Sequence, residues 1–320
     1  MAASEYREAA KRTYSRIGLG LLVSMALHFV LELAFDLIIS RQGLVLKPWL
    51  EFLVNSVVFN YLCAFIGYQV YRGLPAFPIE RRSIPIRQFI KLPFITLFLQ
   101  FLGRLLFLAL LAGVAVLISI ASGNGQEAAA EAANGSDAFQ EIPLILSFLF
   151  TVVLGPIVEE IICRKTIIDR TRIYGEKIAV ISSAIMFGIY HTNFQQLFHT
   201  AFMGLAFAYV YTKTGNLSYS IILHIINNFL AFVYGNLRFS EMLPSLSSGE
   251  LTGTDRLKLA FLPIFGILII CGLVFFLRER KQIRFETQER DLQGSGGFWT
   301  VWLTVGMVLF TIGGLILGMG

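Results

Sequence analysis

Seven apolar runs dominate this sequence: 17–39, 49–70, 89–120, 142–168, 217–234, 257–277 and 298–319. About 20 consecutive apolar residues cross the hydrocarbon core of a bilayer as a helix, and backbone surrounded by lipid must satisfy its polar groups within the segment itself. With 56% hydrophobic and 15% charged residues, the 320-residue chain has too little polar surface to cover a soluble globule. Two shorter runs, 176–193 and 197–211, are barely long enough, and each fits either a full pass or a re-entrant segment. The expected fold is an all-α, polytopic transmembrane helical bundle of about eight or nine spans.

The basic residues give this bundle a direction. If all nine runs are passes, Lys and Arg should collect in every second loop, on the cytoplasmic side. They do so at Arg7, Lys11, Arg12 and Arg16, then at Arg72, Arg81, Arg82, Arg87 and Lys91, then from Arg164 to Lys177, at Lys213, and from Arg278 to Arg290. The opposite stretch 121–143 carries Glu127, Glu131, Asp137 and Glu141 without a Lys or Arg. The expectation is a cytoplasmic N-terminus, with a first run kept as a signal anchor. The net charge of +5 is then topological, and no basic patch on a soluble domain points to nucleic acid. The partner implied so far is the lipid bilayer.

Three parts are expected. Residues 1–140 form leader helices and an external loop, whose segment 122–137 is rich in Gly, Ala, Ser and Glu; 141–235 form a core; 236–320 form the last helices. Cys63, Cys163 and Cys271 lie inside apolar runs without CxxC spacing and read as packing thiols.

Within the core, polar residues interrupt three apolar runs: Glu159, Glu160 and Arg164; His191; and His224 with Asn228. Each is expensive in hydrocarbon unless it has a partner, water or chemistry to do. Glu160 and Arg164 stand four apart, on one helix face and in the order that favours an ion pair. Glu159 is turned about 100° away and is left free. His224 and Asn228 share a stripe, as do Phe187 and His191. Counted at 1.5 Å per residue from the cytoplasmic helix ends, Glu159 lies about 18 Å deep, His191 about 20 Å, His224 about 12 Å and Asn228 about 18 Å. Three helices of differing direction thus bring the set to one layer.

A carboxylate in a low-dielectric site takes a proton from water readily, and an imidazole can hold that water or relay the proton. A second imidazole and an amide can donate to the oxyanion formed when water adds to a peptide carbonyl. Such a set hydrolyses a peptide bond without a Ser, Thr or Cys nucleophile. Glu159, His191 and His224 also make a candidate zinc set with an open fourth position, although the HExxH spacing is absent.

The three segments, Glu159-Glu160-Ile161-Ile162-Cys163-Arg164, Phe187-Gly188-Ile189-Tyr190-His191 and His224-Ile225-Ile226-Asn227-Asn228, resemble the EExxxR, FxxxH and HxxxN motifs of the CPBP intramembrane proteases. That family includes the type II CAAX prenyl endopeptidases and the lysostaphin-resistance-protein-A-like and bacteriocin-immunity proteins. The resemblance covers about residues 142–232. It implies that Glu159 activates the water, His191 orients it, His224 and Asn228 form the oxyanion site, and Arg164 braces Glu160. It also implies a peptide or protein substrate, lipidated or not, and a place in a bacterial cell membrane, and it leaves open whether a metal takes part.

Two other functions fit parts of the sequence. Ser24, His28, Glu32 and Asp36 recur every four residues down the first run, a line that a proton-coupled transporter would use. Gln100 and Arg104 stand ready to neutralise it, but the paired halves of such transporters are absent. A non-catalytic immunity or scaffold protein would be expected to have lost a motif residue, and none is lost. His199, outside every motif, reads as a packing histidine.

Overall fold

The computed structural model describes residues 3–122, 142–237, 251–286 and 294–318, with 248 and 292 besides. Among them all regular structure is helical. In chain order the helices are α1 (Ala3–Gln42), α2 (Pro48–Tyr71), α3 (Leu92–Ser122), α4 (Leu144–Tyr174), α5 (Glu176–Tyr190), α6 (Phe194–Thr214), α7 (Leu217–Asn236), α8 (Gly253–Glu279), α9 (Gly294–Trp302) and α10 (Val305–Leu317). Most of the Gly- and Glu-rich stretch, and the expected boundary at residue 140, lie outside the described residues.

Six helical segments are long and apolar enough to cross a membrane: α1, α2, the one containing α3, α4, α7 and α8. The α9–α10 pair makes a seventh if it counts as one span. The chain is an integral membrane protein. The difference from nine passes lies in the central hairpin, where α5 has 15 residues and α6 has 21, and neither is among the six. The last apolar run is also not one straight helix. It bends by 76° between Trp302 and Val305, where Thr304 leaves helical geometry and turns its hydroxyl back to the Val301 carbonyl instead of capping α10.

Local signals set the helix ends. Asn193 accepts from the Gln196 N–H at the start of α6, and Asn216 from that of Ser218 at the start of α7, each satisfying an orphan donor. Thr252 and Asp255 form a reciprocal capping box on α8. Gly215, at φ +59°, closes α6 in the left-handed region.

Lipid gives no hydrophobic drive between helices, so close packing of small residues does much of the work. Gly20 of α1 lies against Gly67 of α2, and Gly18 against Gly306 of α10, so closely that a Cβ on any of them would strike backbone. The described basic loops meet at one end of the bundle. The Phe77 N–H donates to the Asp169 carbonyl and the Arg82 N–H to that of Thr214. Lys213 pairs with Glu176 at 2.5 Å, the Glu286 N–H donates to the same carboxylate, and Tyr6 packs edge-on to Tyr174. The charge bias thus has a structural counterpart: the loops rich in Lys and Arg share one face.

Candidate active site

The site grows out of α4, which is not uniformly α-helical. Its stretches Phe148–Leu154 and Ile161–Thr166 are π-helical, flanking the α-helical turn Gly155–Glu160. Such wide turns are rare and often mark functional sites. The Gly155 N–H reaches back five residues to the Phe150 carbonyl, so the next donor in that register would serve Thr151. That next residue is Pro156, which has no N–H. Asn228 of α7 fills the gap, its Nδ2 donating to the Thr151 carbonyl at 2.9 Å. One motif amide is therefore tied to the backbone of the helix that carries the glutamates.

Glu160 and Arg164 are both fully buried, with Nε of Arg164 3.1 Å from Oε2 of Glu160. The guanidinium also donates from Nη1 to Ser183 Oγ at 2.9 Å, and Ser183 passes its own proton to the Cys163 carbonyl at 2.7 Å. It lies over the Phe187 ring, Cζ to centroid 4.8 Å, with Phe207 at 5.9 Å. A charge in this setting needs such company. Gly204 of α6 makes room for it, since a Cβ there would crowd Phe187 and sit 3.4 Å from Nη2.

His224 stands between the two carboxylates, Nδ1 3.1 Å from Glu160 and Nε2 3.5 Å from Glu159. The imidazole is buried, whereas the Glu159 side chain keeps 29% of its exposure. One carboxylate is thus locked to Arg164 and the other faces open space. His191 ends α5, its Nδ1 2.8 Å from the Phe187 carbonyl, which leaves Nε2 free. The Phe187 ring meets both imidazoles edge-on, at 4.7 Å for His191 and 5.5 Å for His224. This explains the Phe four residues before His191: it spaces the two histidines while seating Arg164.

Several neighbours had no sequence signal beyond an apolar or small residue in a helix: Ser183, Gly204, and Phe207, whose ring lies 5.0 Å from His224. Asn227, fully buried beside Asn228, donates to Thr96 Oγ1 at 2.6 Å and holds α7 to α3. Thr192, directly after His191, is the one non-glycine residue at positive φ (43°) among the described residues. His199 is buried, with Nδ1 3.0 Å from the Gln195 carbonyl, a local contact that fits packing.

Among the described residues no three His, Cys, Asp or Glu side chains are placed to hold a metal ion. Glu159, His191 and His224 as arranged do not make the ligand set that their residue types allow. The polar line on α1 divides. Ser24 bonds the Tyr190 hydroxyl at 2.6 Å and His28 Nε2 meets the Asn55 carbonyl at 3.2 Å, while Glu32 is 3.9 Å from His28 and Asp36 is exposed. Only its first half is an interhelical seam.

Comparison with known proteins falls on this segment. Residues 141–230 match the family described as Type II CAAX prenyl endopeptidase Rce1-like. The match bears out the family resemblance carried by the three motifs. The curated "Putative membrane peptidase YdiL" of Bacillus subtilis (strain 168) is 32% identical over 96 residues, 29% of this chain. The aligned part spans 37% of that relative's length. No solved structure matches the chain.

Proposed function

We propose that the chain is an intramembrane endopeptidase that hydrolyses a peptide bond with a glutamate-activated water. The observation that carries this reading is the placement of His224 between a locked carboxylate, Glu160, and a half-open one, Glu159. Glu159 takes the proton from water as its oxygen adds to the substrate carbonyl. Glu160, held by Arg164, accepts from His224 Nδ1 and fixes the tautomer, so that Nε2 is the atom that exchanges a proton with Glu159 3.5 Å away. The proton then leaves with the departing amine. His191, with Nδ1 engaged by the Phe187 carbonyl, offers Nε2 to the water. His224, once protonated at Nε2, and the second amide hydrogen of Asn228 donate to the oxyanion. The Glu160–Arg164 pair holds the geometry and does no chemistry of its own.

The substrate proposed is a peptide or protein segment at the membrane, prenylated if the family description extends to this chain. The N-terminus and the basic face are assigned to the cytoplasm by their charge. No step is routed through zinc.

The test compares purified wild type with Glu159→Gln and His191→Ala on lipidated and unlipidated peptides. Cleavage should fall by at least about 100-fold in each variant; rates equal to wild type in both would sink the mechanism.

A further inference from the structure

The donors available to an oxyanion in this site are few. His224 points one nitrogen at each glutamate, and Asn228 has already given one amide hydrogen to the Thr151 carbonyl. A tetrahedral oxygen held by preorganised donors calls for groups with hydrogens to spare. One such group comes from outside the three motifs.

Helix α2 runs in the same direction as α4 and meets it near both ends. The Phe52 and Phe150 rings lie 6.1 Å apart between centroids, and the Tyr71 hydroxyl lies 3.0 Å from Thr166 Oγ1. Counted on from the first contact Tyr61 is level with Glu159, and counted back from the second with Pro156, one turn away. Tyr61, Ala64, Tyr68 and Tyr71 are spaced by three, four and three residues and so form one stripe of their helix. Ala64 and Tyr71 on that stripe are buried, and Tyr71 bonds α4 directly. Tyr61 therefore stands on the stripe that meets α4, within about one turn of the level of Glu159 and close enough for that carboxylate's charge to act on its hydroxyl. It is part-buried, and its hydroxyl makes no hydrogen bond among the described residues.

We infer that Tyr61 is a further catalytic residue, whose phenolic O–H donates to the substrate carbonyl oxygen as it becomes the oxyanion. The inference rests on the hydrolytic reading above. As the water oxygen bonds to the carbonyl carbon, the C=O π pair moves onto oxygen and the water proton passes to Glu159. Tyr61 keeps its proton throughout and stabilises that charge. Collapse re-forms the C=O bond, breaks the C–N bond and delivers the proton to the amine.

The test is Tyr61→Phe, which removes one oxygen from a side that is not fully enclosed. The expected result is a kcat lowered roughly 100-fold, as for loss of one oxyanion donor, with KM within about twofold and an unchanged melting temperature. A peptidyl phosphinate, a tetrahedral anionic mimic, should lose affinity in parallel, while the parent amide peptide binds Glu159→Gln equally with and without the Tyr61 change. A kcat within twofold of wild type would overturn the inference. So would a shifted acidic limb of the pH–rate profile, because Tyr61 would then be orienting the Glu159 carboxylate. A wild type that cleaves normally beside an unimpaired Tyr61→Phe refutes this inference alone; a wild type that cleaves no peptide refutes the hydrolytic reading, and this with it.

Discussion

Replacing Arg164 with Met tests how the glutamate pair is held apart in role. The substitution removes a guanidinium that is fully buried 3.1 Å from an equally buried Glu160. It leaves that carboxylate with His224 Nδ1 at 3.1 Å and the Ser220 hydroxyl as its remaining close partners. Stranding one member of a buried pair costs about 3–5 kcal/mol. The charged hydrogen bond to Ser183, worth about 1.5–3 kcal/mol, and the contact with Phe187, about 1–2 kcal/mol, overlap with that figure and do not add to it. Met refills part of the volume, so we expect Arg164→Met to lose about 4 kcal/mol. The double variant Glu160→Gln/Arg164→Met strands no charge and should recover about 2 kcal/mol of that loss, since the desolvation penalty goes with the ion. Reversible unfolding in mixed micelles by SDS titration, followed by circular dichroism, measures both. A loss below about 1 kcal/mol in the single variant, or a double variant less stable than the single, would refute the claim that the pair is a brace.

Asn228→Ala should lower both stability, by about 1–3 kcal/mol, and kcat, because the amide serves the Thr151 carbonyl as well as the reaction; loss of rate at full stability would assign it to chemistry alone. Gly306→Leu should separate α10 from α1 and cost at least about 1–3 kcal/mol in the same titration, since backbone of Ser15 occupies the space. Exhaustive chelation should leave cleavage unchanged; loss restored by zinc would move the reaction to metal chemistry. Asp36→Asn should change stability by less than about 0.5 kcal/mol and leave cleavage intact, because Asp36 is exposed at the open end of its line; loss of either would revive a role for the full stripe.

What the sequence disclosed was what repeats locally. An acid and a base four residues apart predict the Glu160–Arg164 contact because both lie within one helical turn. The alternation of basic loops likewise predicts which loops share a face. Relations that cross helices were less legible. A constant 100° per residue places faces only while a helix stays α-helical, and α4 departs from it on both sides of the glutamates. That departure, with Pro156, is why Asn228 meets the Thr151 carbonyl, which no spacing on α7 foretells. The motifs assign His224 to the oxyanion with Asn228, or to a metal with Glu159 and His191, and its contact with both carboxylates depends on the α4–α7 approach. Tyr61 was invisible because a lone tyrosine inside an apolar run carries no motif spacing. The break after Trp302 also went unseen, for the run 298–319 is apolar throughout and hydropathy carries no angle.

The last turn of α10 extends the reach of the site along the chain. A Cβ on Gly318 would press on the backbone of Thr192 and Asn193, and one on Gly314 on Ile189, so this helix backs the segment that ends in His191. Further down, α10 hangs on α1 where the Gly306 N–H donates to Ser15 Oγ. A push on α1 near Ser15 therefore has a mechanical route to the imidazole, through a lever that contains no motif residue. Suppressors of a weakened His191 position should accordingly appear at the α1–α10 contact, and a bulky fusion beyond residue 318 should slow the reaction without altering any group that performs it.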